Sequence, residues 1–145
     1  IKEMKNIAPP LTADLVVSNP PFRKPTTGHL STGEEKAVAR HELRLKFADL
    51  AETASYLLKA RGRFCMIYHP ERLPEVIDTL RNNRLEPKRI RFVHNDIHAV
   101  SKMVLIEAVK GGRAGIRVEK PLFMYHEKGG YTDEVNVMYG KSGQW

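Results

Sequence analysis

The chain has 145 residues, 41% of them hydrophobic, and carries 24 Lys and Arg against 17 Asp and Glu, for a formal net charge of +7. That length supports one domain with one core, and the hydrophobic share excludes a disordered chain. No apolar run approaches the ~20 residues that cross a bilayer, so no membrane partner is expected, and the opening Ile1-Lys2-Glu3-Met4-Lys5 lacks an apolar h-region.

The first strand is expected at Asp14 to Ser18, with Leu15, Val16 and Val17 as its apolar centre. It stops at Asn19-Pro20-Pro21-Phe22 because neither proline has an N–H to give a ladder. The result is a rigid elbow that presents an amide side chain, a proline carbonyl and an aromatic ring together. Arg23 to Gly33 then reads as a loop of Thr, Ser, Gly and charged residues, of a length that tends to be functional or mobile. The polar stretch Glu34 to Arg44 is a candidate for a separate helical turn.

Phe47, Leu50, Ala51, Ala54, Leu57 and Leu58 recur at helical spacing, and Gly62 suits the position just past that helix, after Lys59 and Arg61. The second strand, Arg63 to Tyr68, is apolar on both faces, as in the middle of a parallel sheet. It contains the only cysteine, Cys65, read as a small buried hydrophobe; one cysteine allows no intrachain disulfide and favours a cytoplasmic location. His69 follows at the strand's end. Pro70 or Pro74 opens the next helix, Val76, Ile77 and Leu80 form its buried face, and Asn82-Asn83 end it. Arg89 to Val93 and Lys102 to Val109 read as a hairpin. Ile116 to Val118 and Leu122 to Tyr125 are short β candidates before a Gly129-Gly130 turn. Asn136 to Trp145 carries no clear signal.

Strand, helix, strand, helix and an antiparallel pair predict a three-layer α/β sheet, whose working residues lie at the carboxyl ends of strands. Asn19 to Phe22 and His69 occupy such ends. The elbow suits an amino group on a flat ring. The lone pair of such an amine is delocalised into the ring, so it is a poor nucleophile. Acceptors on its two hydrogens, the Asn19 side-chain oxygen and the Pro20 carbonyl, would favour a tetrahedral nitrogen. Pro21 fixes the backbone and Phe22 can stack on the ring. No base of shifted pKa is needed before attack; the work is positioning and electrostatic preorganisation.

The motif Asn19-Pro20-Pro21-Phe22 after an apolar strand resembles the target-amine motif of class I S-adenosylmethionine-dependent methyltransferases. With Ala39-Arg40-His41-Glu42, Gly62-Arg63-Phe64, Pro70-Glu71-Arg72-Leu73, Leu85-Glu86-Pro87-Lys88-Arg89, Arg91-Phe92-Val93-His94 and Val104-Leu105-Ile106-Glu107, the segments from about Asp14 to about Val135 resemble the bacterial tRNA adenine-N6 methyltransferases that act beside the anticodon of a valine tRNA. The resemblance implies a Rossmann-like methyltransferase sheet, methyl transfer to an adenine N6 amine, and Asn19, Pro20, Pro21 and Phe22 as catalytic residues. Related enzymes use the same four residues on glutamine amides or guanine N2, and those acceptors remain alternatives.

The family's glycine-rich cofactor turn and the acidic residue of the following strand are missing: 13 residues precede Asp14, and Gly111-Gly112-Arg113-Ala114-Gly115 follows the hairpin rather than opening a helix. The expectation is therefore a single partial domain over residues 1–145, the carboxyl-terminal half of a methyltransferase. It would touch S-adenosylmethionine at Asn19 alone and be inactive in isolation. Arg23 and Lys24 are candidates for phosphate contact beside a flipped-out base, and Arg40, His41 and His69 for lining the substrate site; each has an ordinary reading as loop or helix-surface charge. Arg81, Arg84, Lys88, Arg89 and Arg91 are a basic run able to meet tRNA or to remain solvated. His94 and His98 are four apart, but without a third ligand nearby no metal site is expected. A non-catalytic RNA-binding or self-associating module is the remaining alternative, since the Leu15–Val17 strand would have an open edge.

Overall fold

The structure, a computed structural model, describes residues 7–20 and 46–141. Its strands are β1 (Ala13–Ser18), β2 (Leu58–Tyr68), β3 (Leu85–His94), β4 (Met103–Lys110), β5 (Arg117–Val118) and β6 (Leu122–Phe123). They form one sheet in the order β1-β2-β4-β3-β5, with β6 also paired to β3. β1 pairs parallel with β2, and β5 and β6 pair parallel with β3, while β4 runs antiparallel to both β2 and β3. The expected hairpin thus inserts its second strand between β2 and β3. The ends of β1, β2, β3 and β6 share one edge of the sheet, here the carboxyl edge.

Helix α1 (46–57 among the described residues) and α2 (Leu73–Asn82) cover one face. Phe47, Ala51 and Ala54 from α1 and Val76 and Leu80 from α2 pack on Phe64, Met66, Tyr68, Leu85, Ile90, Val104, Ile106 and Ala108. The strand residues alternate as a half-buried sheet requires. β2 is therefore not buried on both faces: Cys65 and Ile67 are half-buried on the side away from the helices, and β2 has one parallel and one antiparallel neighbour.

The end of α1 also differs from expectation. Its last carbonyls are met individually: Tyr56 by the Leu11 N–H at 3.1 Å and Leu57 by the Thr12 N–H at 2.9 Å. Lys110 Nζ donates to the Ser55 carbonyl, and to the Leu58 carbonyl at 2.8 Å, placing a cation at the negative helix end. The left-handed residue is Arg61 (φ 65), not Gly62. Gly62 is required for closeness instead: a Cβ there would lie 2.9 Å from Leu58 Cδ2 and 2.9 Å from the Lys59 carbonyl oxygen.

Pro70 and Pro74 both act as helix starters, Pro70 for a 3-10 turn over Pro70–Arg72 and Pro74 in the first turn of α2. Beyond the sheet lies a helix the sequence reading missed, α3 (Asp133–Met138). Thr132 caps it by accepting from the Val135 N–H at 3.4 Å, and Asp133 and Glu134 complement its first turn. Among the described residues no helix is long and apolar enough to cross a membrane.

Candidate functional site at the carboxyl edge

Strand β1 ends at Ser18, paired with Met66, and Val17 pairs with Cys65. Extending that register sets Asn19 beside Ile67 and Pro20 beside Tyr68. Asn19 is exposed and Pro20 half-buried, so the amide side chain is free to meet a ligand while the proline is braced. His69 follows Tyr68 on the neighbouring strand, its Nδ1 3.3 Å from the Lys102 carbonyl oxygen. Three of the expected site residues, Asn19, Pro20 and His69, therefore share the carboxyl edge on adjacent strands. Pro21, Phe22, Arg23, Lys24, Arg40 and His41 lie outside the described residues.

A further group at this edge was not singled out from sequence. Tyr68 is buried, and its hydroxyl accepts from Arg72 at 3.3 Å; Arg72 also lies over the Tyr68 ring at 5.8 Å and pairs with Glu75 at 2.7 Å. Burial pushes the Tyr68 phenol above its ordinary range, partly offset by Arg72, so it stays protonated. The Tyr-x-x-x-Arg-x-x-Glu spacing across the strand end was the available signal; Arg72 stood in a segment of the resemblance, but without its partners Tyr68 and Glu75.

Asn19 stands at the rim of an open groove of about 500 Å³ on the face of the sheet away from α1 and α2. Val17, Cys65, Ile67 and Leu105 make its apolar floor. A ladder of charges crosses it: Glu107 lies 3.7 Å from Arg63 and 3.8 Å from Arg89, and Glu119 lies 2.9 Å from Arg89 and 3.3 Å from Arg117. Burial and then Glu107 raise the Cys65 thiol, opposed by Arg63 and Arg89; a protonated thiol is no nucleophile, so Cys65 is a wall residue.

The basic run does not act as one patch. Arg81 pairs with Glu86 at 3.3 Å, Arg89 joins the ladder, and Arg91 grips Glu134 through two bonds of 2.6 and 2.8 Å. Arg91 also donates to the Lys120 and Pro121 carbonyls at 2.8 and 3.4 Å, fastening α3 to the sheet. The two histidines of the hairpin have separate partners: His94 Nδ1 is 2.7 Å from the Ala99 carbonyl oxygen and His98 Nε2 is 3.0 Å from Glu127. Among the described residues no cluster of His, Cys, Asp or Glu has the makings of a metal centre.

Two glycine-rich turns lie among the described residues. Gly111, Gly112 and Gly115 follow β4, which runs against its neighbours, so they lie at the edge opposite Asn19. Gly129 and Gly130 turn the chain between Tyr125 and Tyr131, which form an isolated bridge. Gly129 and Gly130 are followed by Thr132, the N-cap of the six-residue helix α3.

No family model and no curated protein matches the chain. Among solved structures it is similar to a predicted O-methyltransferase of Agrobacterium tumefaciens, with a TM-score of 0.73 and 22% identity over 98% of this chain and 58% of that one. It is similar also to a candidate DNA modification methylase of Thermus thermophilus, with a TM-score of 0.58 and 13% identity over 79% of this chain and 51% of that one. The same methylase complexed with S-adenosyl-L-methionine gives a TM-score of 0.54 at 15% identity, over 79% and 52%. The chain thus spans little more than half the length of the structures it matches, and what it shares with them is the Rossmann-like methyltransferase fold.

Proposed function

We propose that the protein carrying this chain transfers a methyl group from S-adenosylmethionine to the exocyclic N6 amine of an adenine in RNA, a tRNA first of all, in the cytoplasm. The observation that carries the reading is the placement of Asn19 and Pro20: they end a strand at the carboxyl edge of a methyltransferase-like sheet, with Asn19 exposed at the rim of a groove. Carboxyl ends are where open α/β sheets put their ligands. In this reading the Asn19 Oδ1 and the Pro20 carbonyl each accept one N–H of the acceptor amine. They would draw the nitrogen out of conjugation as it becomes tetrahedral; the N–CH3 bond would form as the donor's S–CH3 bond breaks, and the proton of the resulting cationic amine would leave to solvent. Phe22 would cover the ring face, Arg23 and Lys24 the neighbouring phosphates, and His69, held by the Lys102 carbonyl, the far wall.

The chain would do this as the carboxyl-terminal part of a longer methyltransferase; its coverage of 58% and 51% of two methyltransferase-fold structures supports that reading. S-adenosylmethionine would supply the electrophilic methyl group. The net charge of +7 favours a polyanionic acceptor over a protein amide. Incubating the intact protein with labelled S-adenosylmethionine and bulk tRNA, then digesting to nucleosides, tests the reading. N6-methyladenosine is the expected labelled product; label in guanosine N2 or in a protein glutamine would overturn the assigned acceptor.

A further inference from the structure

Three cations converge at the edge of the sheet opposite Asn19. Arg61, Lys88 and Arg113, with Val109, line a cavity of about 340 Å³. They are far apart in sequence, and each is aimed by its own backbone irregularity. Arg61 is held at φ 65, a left-handed conformation that a residue with a Cβ adopts at a cost. Lys88 occupies the register shift between Pro87 and Arg89, a bulge that re-aims its side chain. Arg113 is brought back by the Gly111-Gly112 turn, where Gly111 has φ 64 and a Cβ on Gly112 would lie 3.2 Å from both Glu86 Cβ and the Val109 carbonyl oxygen.

Among the described residues no carboxylate pairs with Arg61, Lys88 or Arg113. Lys88 Nζ donates to the Arg113 carbonyl at 2.9 Å, which leaves two of its three hydrogens for another acceptor. The acids on the adjoining strands are engaged elsewhere: Glu86 by Arg81, Glu107 by Arg63 and Arg89, Glu119 by Arg89 and Arg117. Like charges gathered round one cavity repel unless an anion sits between them.

We propose that this cavity is a phosphate-binding site. Two arginines and a lysine lining one cavity offer it many N–H donors, which suits a tetrahedral oxyanion of double charge better than a single carboxylate. The cavity is roomier than a bare phosphate requires and so admits a phosphate ester, either a nucleic-acid backbone phosphate or a free phosphate ester. The site stands on the opposite edge from the acceptor groove and does not depend on methyl transfer.

Titrating the intact protein with inorganic phosphate, read by amide shifts of Arg113 to Gly115, should give saturable binding. Arg61→Gln combined with Arg113→Gln should weaken it by roughly tenfold or more; Arg113→Gln alone, in an exposed loop, carries the test should the pair fail to fold. Arg81→Gln removes the same unit of charge from an arginine already paired with Glu86, and should leave phosphate binding unchanged. A parallel titration with short single-stranded RNA separates the two sources. If the Arg113→Gln salt slope falls by about 0.7, one backbone phosphate contact has been lost. An unchanged slope with lost phosphate binding supports a free ester as the ligand. Absent or unsaturable phosphate binding, or equal loss in Arg81→Gln, would overturn the site.

Discussion

Gly62→Ala sets two opposing effects against each other, and the structure decides between them. Replacing glycine by alanine reduces the freedom of the unfolded chain and by itself stabilises by about 0.4–1 kcal/mol. At this position the new methyl meets Leu58 Cδ2 at 2.9 Å, the Lys59 carbonyl oxygen at 2.9 Å and the Ala13 carbonyl oxygen at 3.3 Å. Two of these neighbours are backbone atoms, and Leu58 is fully buried, so no side-chain rotation clears the space. Overpacking of this kind costs about 1–3 kcal/mol. The expected balance is a net loss of about 1–2 kcal/mol, carried by displacement of β1 from β2. Urea unfolding followed by circular dichroism checks it: the midpoint should fall by about 0.5–1 M with an unchanged slope, for slopes of roughly 2 kcal/mol per M. A midpoint equal to or above that of the native chain would refute the claim that Gly62 is there for close approach.

Arg91→Leu should cost about 2 kcal/mol, because it strips bonds from two carbonyls as well as from Glu134, whereas Glu134→Gln, at a half-exposed carboxylate, should cost about 0.5 kcal/mol; thermal melts of both variants would show equal losses if the carbonyl contacts were idle. The Arg91 hydrogen bond holds the Glu134 carboxyl below its ordinary value. Its contribution is therefore present above the unfolded carboxyl pKa, about 4.3, and disappears as pH falls through the lower folded value, so the gap between native chain and Glu134→Gln should close in acid and not at neutral pH. Thr132→Ala removes the α3 cap and a 2.8 Å bond to the Phe123 carbonyl, and should lose about 1 kcal/mol with faster amide exchange at Val135. The outer edge of β1 has no partner strand among the described residues, and Leu15 and Val17, on the groove side of that strand, are 47% and 70% exposed. The isolated chain should self-associate through that edge and Val17→Lys should suppress it; light scattering that finds a monomer at every concentration would contradict this.

The parts legible in the sequence were those encoded by short-range chemistry. Asn19-Pro20 follows directly on the end of β1, the apolar run Phe64–Tyr68 gave the second half of β2 while its start at Leu58 was read as helix, and Pro74, Val76 and Leu80 gave α2 and its buried face. What escaped depends on residues distant in sequence. Nothing near α1 announces that Lys110 caps it, 52 residues from Leu58. The basic run looked like one surface because sequence adjacency hides strand alternation. In the sheet, Arg89 and Arg91 face the groove and take carboxylates from β4, the β5 region and α3, while Arg61, Lys88 and Arg113, which have no carboxylate among the described residues, come from three separate segments. Helix α3 was missed although Thr132-Asp133-Glu134 is a reasonable start signal, because its single buried residue, Val135, leaves no apolar periodicity to detect. At the candidate site, the sequence motif points to Asn19 and Pro20, but only the parallel pairing of β1 with β2 brings His69 and the Tyr68–Arg72–Glu75 group to the same edge.

Whether Asn19 grips the acceptor amine is decided most directly by single-turnover methylation of tRNA by the intact protein. Asn19→Ala removes one preorganised acceptor at the developing charge, so the rate of the chemical step should fall by about 10²–10³, with affinity for tRNA little changed. An Asn19→Ala protein that methylates adenine at the native rate would contradict that role outright.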